Sequence, residues 1–305
     1  MSAEPAPQST RLSVLIPFAI VTLIWGSTWI VIRDQLLVVP PSWSVTYRFT
    51  VAGVTMLGWA LLRGERLAMD TRGIGFAVLL GLAQFVLNFN LVYRSEQYIT
   101  SGVVAVVYAL LLVPNAVLAR IFLGQKMGRQ LVIGSAIAVA GVALLFVHEA
   151  RLSAVGPHAA LLGIGIALGG VMCASVANVM QATSTARAYP MATMLGWAML
   201  SGAVLDALFA LATVGAPVFD WRPSYAGGIL YLGVLGSAVS FSLYFRLIRT
   251  IGPAKAAYTG VLIPVIAMLF STLFEGYRWS WLAAGGAVLV VAGLVVALKA
   301  RRPNR

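Results

Sequence analysis

Charge is what this sequence has least of. Asp, Glu, Lys and Arg make up 10% of its 305 residues, where a soluble domain carries about 25%. So few charges cannot cover a water-soluble protein of this length, and most of the surface must face something other than water. Cysteine is nearly missing too. Cys173 stands alone, which excludes a disulfide framework and a cysteine-cluster metal site. The two histidines, His148 and His158, each sit beside a charged or Pro/Gly-rich break, too few and too peripheral to ligate a transition metal or haem inside a membrane. No cofactor and no metal is expected. Apolar residues, by contrast, reach 60% and the mean hydropathy is +0.93, the composition of a polytopic membrane protein whose main partner is the lipid bilayer.

A helix needs about 20 apolar residues to cross the hydrocarbon core. Ten segments reach or approach that length: 14–32, 43–62, 74–92, 102–123, 131–147, 159–180, 191–214, 227–245, 256–274 and 281–298. Between them fall turn and charge signals such as Pro40-Pro41, Gly156-Pro157, Tyr189-Pro190 and Gly252-Pro253. The first run is too long for a signal-peptide core, lacks a small-x-small cleavage site and is followed by further spans, so it reads as a retained helix. With the N-terminus inside, 15 of the 21 basic residues lie on the cytoplasmic side, five (Arg33, Arg94, Arg151, Arg222, Arg278) lie outside and Arg48 lies within a span. That bias puts both termini in the cytoplasm of a bacterial inner membrane. It also absorbs the net charge of +12, which removes nucleic acid as a partner.

The second half slides onto the first at an offset of 152 residues: Leu80-Gly81 falls on Leu232-Gly233, Phe89 on Phe241, Gly124 on Gly276 and Val139-Ala140-Gly141 on Val291-Ala292-Gly293. At 149, Pro41 and Gly53 fall on Pro190 and Gly202. Five spans per copy is an odd number, so the second copy enters the membrane from the opposite side. The expected fold is therefore an all-α polytopic membrane protein of ten transmembrane helices in two inverted five-helix repeats. A disordered cytoplasmic tail (1–11) would precede the first repeat (12–148), a linker (149–157) would join it to the second (158–299), and a basic cytoplasmic tail (300–305) would close the chain. Opposed, near-equal halves permit alternating access around a central site.

The Trp25 to Trp29 stretch WGSTW, the Tyr47-Arg48-Phe49 element, the glycine-rich closing helices and the ten-span duplication resemble the EamA-type branch of the drug/metabolite transporter superfamily over roughly residues 12–299. Within that branch the chain is similar to bacterial aromatic amino acid exporters. The resemblance implies export of small metabolites through a central cavity, and no enzyme activity.

Polar residues inside apolar spans mark the expected pathway, because each costs free energy in lipid. Gln84 and Asn88 share a face of span 3, where Asn90 is off that face, and Asn88 is equivalent to Ser240 in span 8. Asn178 in span 6 adds a third carboxamide. Trp25, Tyr108, Tyr244 and Tyr258 offer ring faces for a flat solute or an ammonium group, whereas Trp43, Trp221, Trp279 and Trp281 stand near span ends, as an interfacial belt would. Gly165 and Gly169 are expected to let helices approach closely. The substrate-binding candidates are thus Trp25, Gln84, Asn88, Tyr108, Asn178, Ser240, Tyr244 and Tyr258. Amides, hydroxyls and rings without a fixed basic pair suit amino acids and similar small solutes better than phosphorylated ones.

Two ionisable groups lie in spans. Arg48 is about five residues, or roughly 7.5 Å, below the outer end and could snorkel there. Asp206 is deeper, and either Arg48 or a neighbouring hydroxyl should offset its burial. Should Asp206 instead couple protons, the protein would be an antiporter of lipophilic cations or drugs. Pro114 and Pro264, 150 residues apart, are candidate hinges, with the moving hairpins tipped at Ser101-Gly102 and Gly252-Pro253. A membrane enzyme or scaffold is the remaining rival, and no cluster of catalytic side chains supports it. A monomer is compatible with this reading.

Overall fold

The computed structural model describes residues 8–124, 128–152, 157–251 and 259–298. Among them the fold is all helical, without strands. In chain order the long helices are α1 (Gln8–Gln35), α2 (Pro41–Leu62), α3 (Thr71–Ser95), α4 (Ser101–Leu123), α5 (Arg129–Leu152), α6 (Pro157–Gln181), α7 (Met191–Thr213), α8 (223–251), α9 (Thr259–Phe274) and α10 (Trp281–Leu298). Seven of these, α1 to α4 and α6 to α8, are long and apolar enough to cross a membrane; shorter apolar stretches occupy α5 (Val132–Leu145), α9 (Ile263–Phe274) and α10 (Trp281–Gly293). Lipid-like surface is plentiful, with Leu62, Ile121, Phe122, Leu273 and Phe274 all turned outward.

Local chemistry sets the helix ends. Pro41 and Pro223 occupy first-turn positions of α2 and α8, where a missing N–H is harmless and the fixed φ is already helical. Asp70 caps α3 by accepting from the Gly73 N–H at 2.8 Å. Gly124 stops α4 with φ +65° and Gly276 follows α9 with φ +64°, a left-handed conformation that glycine adopts without steric cost. α1 begins at Gln8, so the last residues of the expected disordered tail are helical; residues 1–7, 153–156 and 299–305 lie outside the described residues. α1, α3, α5 and α8 also run about a turn beyond the apolar segments read from sequence, because a helix continues through polar residues until a cap or turn stops it.

α5 lies along α10 and α2 along α7; α1 runs beside α9 and α8, and α6 beside α4 and α3; α3 also lies along α7, and α2 along α8. Small residues make the closest of these approaches possible. A Cβ on Gly141 of α5 would stand 2.6 Å from the Gly286 carbonyl oxygen of α10, and one on Gly286 would stand 2.8 Å from the Gly141 carbonyl oxygen, so bare backbone meets bare backbone. Gly165, in contrast, faces open space, and Gly169 meets only Leu91 at 3.5 Å. The close contacts on α6 belong instead to Gly163, against Tyr98, and to Gly170, against the Tyr108 hydroxyl. Sequence cannot choose among neighbouring glycines, because the choice depends on which side of α6 meets α3 and α4.

Trp43 also departs from expectation. It is buried, stacked on Tyr47 with centroids 5.9 Å apart, because the α2 start is covered by Tyr225, Ile229 and Ala210. Trp221 and Trp281 are exposed, as interfacial rings would be.

Candidate functional site

Two of the helices carry a stretch of wider π-helical turn: Leu82–Asn88 within α3 and Tyr231–Val239 within α8. Such stretches loosen the regular backbone hydrogen bonding and often accompany function. Beside them lies a cavity of about 140 Å³, the size that accepts a single aromatic ring.

Its wall is drawn from seven helices. From α1 come Trp25, Thr28 and Trp29, and from α2 comes Arg48. α3 supplies Gln84, Asn88 and Phe89, while α4 supplies Tyr108 and Asn115. Asn178 enters from α6, Phe241 and Tyr244 from α8, and Pro264 with Ile263 from α9. The rings touch one another: Trp25 lies 5.0 Å from Tyr244 and 5.3 Å from Phe241, and Trp29 lies 5.5 Å from Tyr108, in tilted or edge-on contacts.

Of the predicted binding residues, the cavity thus unites Trp25, Gln84, Asn88, Tyr108, Asn178 and Tyr244. They are not equally available. Trp25 spends its indole N–H on the Gly236 carbonyl at 3.0 Å. Asn88 helps hold the wall together: Tyr108 Oη donates to its Oδ1 at 2.8 Å, and its Nδ2 donates to the Gln84 carbonyl at 3.2 Å. Asn178 donates to Asn115 Oδ1 at 3.5 Å. Gln84 differs, for its side-chain Oε1 is buried without a partner, an unsatisfied acceptor on a residue of the cavity wall. Ser240 is not part of the wall; it is buried and its hydroxyl donates to Leu235 O of its own helix at 2.7 Å. Tyr258 and the Gly252-Pro253 tip lie outside the described residues.

Sequence reasoning missed Asn115, Trp29, Phe89 and Phe241. Asn115 carried a usable signal, a carboxamide deep in an apolar span directly after Pro114. The phenylalanines carried none, since an apolar ring in an apolar helix looks the same whether it faces lipid or a cavity.

Asp206 and Arg48, both buried, do not form an ion pair. Asp206 of α7 is fully buried, away from the cavity, and is held from α2 and α3: Asn90 Nδ2 donates to its Oδ1 at 2.5 Å and Thr46 Oγ1 to its Oδ2 at 3.4 Å. Ser42 Oγ donates in turn to Asn90 Oδ1 at 2.7 Å. Arg48, 1% exposed, does not snorkel either. It turns inward, donates from Nε to Ser237 Oγ at 3.0 Å, and lies with its guanidinium carbon 4.4 Å from the Phe89 ring centroid. One helical turn of difference in side-chain direction separates the interface from the interior, and packing against α3 and α8 decides it.

One end of the bundle is tied off by polar contacts. The Gly102 N–H donates to Ser271 Oγ at 2.8 Å, Ser271 bonds Glu275, and Arg33 donates to the Glu96 carbonyl oxygen. Arg222 joins Asp220 at 2.6 Å and Asp34 at 3.5 Å. These contacts raise Arg222 above its ordinary pKa and lower Asp220 below its own, as ion pairing and hydrogen bonding to the charged forms require.

A multi-pass helical membrane protein with an aromatic and polar cavity among its spans, and no cluster of three or more His, Cys, Asp or Glu among the described residues that could hold a metal, has the form of a small-solute transporter. Comparison with known proteins names the group. The EamA-like transporter family model matches residues 12–147 and again 161–299, and the chain belongs to that family, within the drug/metabolite transporter superfamily. It is 32% identical over 283 residues to the uncharacterized inner membrane transporter YedA of Escherichia coli strain K12, covering 90% of this chain and 88% of that one. Protein PagO of Salmonella typhimurium is 23% identical over 292 residues, covering 95% and 94%. A solved crystal structure shares the fold with a TM-score of 0.71 at 20% identity, over 97% of this chain and 99% of that one. The protein is a membrane transporter and not an enzyme.

Proposed function

We propose that this transporter exports small metabolites, amino acids including aromatic ones foremost, by alternating access between two inverted five-helix repeats with both termini in the cytoplasm. The observation that carries the reading is the cavity itself, lined by aromatic rings and carboxamides from α1 to α4 in the first matched segment and from α6, α8 and α9 in the second.

Several features support the inverted duplication. The family model matches the chain twice. The helix neighbours exchange under a shift of five: α1 beside α9 answers α6 beside α4, and α3 beside α7 answers α8 beside α2, while α2·α7 and α5·α10 answer themselves. The π stretches of α3 and α8 form another such pair, as do Gly124 and Gly276. In this reading the α3–α4 hairpin, docked on α9 through Gly102 and Ser271, closes the outer side, and the π stretches join Pro114 and Pro264 as the places where the helices bend.

Counterflow in proteoliposomes tests the proposal, using labelled amino acids competed by an unlabelled metabolite panel. Flux of amino acids is expected. Gln84→Ala should weaken competition by the preferred solutes, and Pro114→Ala or Pro264→Ala should slow turnover with affinity kept. Absence of flux for every solute would overturn the transport reading, and unchanged flux and selectivity in both Gln84→Ala and Asn88→Ala would remove the carboxamides from the site. Because Asp206 stands apart from the cavity wall, Asp206→Asn should leave the response to a pH gradient unchanged; a lost response would restore proton antiport.

A further inference from the structure

The cavity contains a feature that the composition of the spans does not suggest. Arg48 is the one charged residue in its described wall, and it is buried with Nη1 lacking any hydrogen-bond partner. Among the described residues no carboxylate pairs with it. Asp206 is committed to Asn90 and Thr46, and Glu96, which acts on Arg48 electrostatically, lies outside ion-pair range. Its close company is the hydroxyls of Ser237 and Tyr93 and the faces of Phe89 at 4.4 Å and Phe49 at 5.3 Å. A guanidinium cannot shed its proton, and a buried charge without a counter-ion is costly. The anion it needs has to come from elsewhere.

Resting on the transporter reading above, we infer that Arg48 is the specificity-determining residue of the cavity, and that it selects solutes bearing a single carboxylate. Nε is fixed by Ser237, which leaves the fork of the guanidinium oriented, and a carboxylate matches that fork in charge and shape. A phosphate dianion would need a second cation, and the described wall has none. A bare inorganic anion would leave the surrounding rings of Trp25, Trp29 and Tyr108 without a ligand surface to cover. The unpartnered Oε1 of Gln84 supplies the complement, an acceptor for a donor group on the same solute, as the ammonium of an amino acid would be. The cavity therefore reads three parts of a molecule: an acid at Arg48, a donor at Gln84 and a flat apolar body among the rings.

The test uses the purified full-length protein in detergent and four matched probes. L-phenylalanine carries acid and ammonium, 3-phenylpropionate only the acid, phenylalaninamide an amide in place of the acid, and phenethylamine no acid at all. Phenylalanine and 3-phenylpropionate should raise the melting temperature in proportion to occupancy, whereas the amide and the amine should bind more than about ten-fold more weakly. Arg48→Met should abolish that discrimination while the ligand-free protein melts no lower than wild type, since an unpaired buried charge has been removed. Equal binding of acid and amide by wild type overturns the inference. So does an Arg48→Met protein that melts lower yet still discriminates, the mark of a merely structural arginine. Should Arg48→Met not fold, the wild-type comparison of acid with amide decides alone. Counterflow separates this inference from the one it rests on: amide carried as fast as acid sinks the role of Arg48 and leaves transport standing, and acid bound without flux does the reverse.

Discussion

Asp206 and Arg48 sit in the same bundle and are equally hidden, yet the protein treats them in opposite ways. Around Asp206, α2 and α3 supply a hydroxyl and a carboxamide, with Ser42 bracing the carboxamide from behind. Around Arg48, the helices supply the hydroxyls of Ser237 and Tyr93 and two ring faces, and leave Nη1 unbonded on a residue of the cavity wall. A polar group satisfied by its own chain holds the fold together. One left partly unsatisfied at a cavity is available to a ligand. The first region is closed and the second is open, and substitutions in the two should have different signatures.

The largest effect is expected in the closed region. Asp206→Ala removes the acceptor of one Asn90 Nδ2 hydrogen bond, the Val86 carbonyl at 3.0 Å remaining, and should cost about 1–3 kcal/mol, read as a lower melting temperature and reduced folded yield. A double-mutant cycle of Asp206→Ala with Asn90→Ala should show coupling of about 0.5–3 kcal/mol, whereas Asp206→Ala and Arg48→Met should add. Coupling between Asp206 and Arg48 would break the comparison, because it would make the two charges one network.

Gly170 sharpens the comparison from the open side. A Cβ there would run into the Tyr108 hydroxyl, the group that donates to Asn88. Gly170→Ala should therefore cost about 1 kcal/mol through overpacking and disturb solute competition in counterflow, while Gly165→Ala, in open space, should do neither. An unaltered cavity in Gly170→Ala would mean that Tyr108 can turn away freely.

The smallest effect concerns a charge satisfied outside the membrane. Asp70 accepts from the Gly73 N–H at 2.8 Å and from Tyr189, and the Tyr189 hydroxyl, ahead of the Gly73 amide, holds its pKa below the ordinary 3.8. A depressed folded-state pKa means that the stabilisation is present above 3.8 and is lost as pH falls through the folded value. The melting temperature of wild type should exceed that of Asp70→Ala modestly at neutral pH, and the gap should narrow in acid. A gap independent of pH would show that the carboxylate form plays no part in the cap.

How much of this was legible in the sequence can be judged residue by residue. Gln84, Asn88 and Tyr108 were found because a carboxamide in an apolar span is rare and a helical period places neighbours on one face. Ser240 is equivalent to Asn88 in the sequence yet is not in the wall: its single hydroxyl is spent on Leu235 O, whereas the carboxamide of Asn88 bonds its own helix through Nδ2 and still accepts from Tyr108 through Oδ1. Phe89 and Phe241 were invisible. The expectation for Asp206 named a hydroxyl as one alternative, and Thr46 is such a hydroxyl, joined by an amide that the helical period alone set off the Gln84 and Asn88 face.

The sequence alone determined that this chain lives in a membrane, that it is built of helices, and that its family is that of EamA-like transporters. Those properties follow from composition, run length and motif, each of which is a local sum along the chain. Only the tertiary structure decided which way Arg48 turns, which glycine of α6 lets Tyr108 lie close, and that the acid and the base go separate ways. Such outcomes depend on the rotation of one helix against its neighbours, and in a lipid-facing bundle, where apolar residues cover every side of a helix, that rotation is set by packing between residues far apart in the chain.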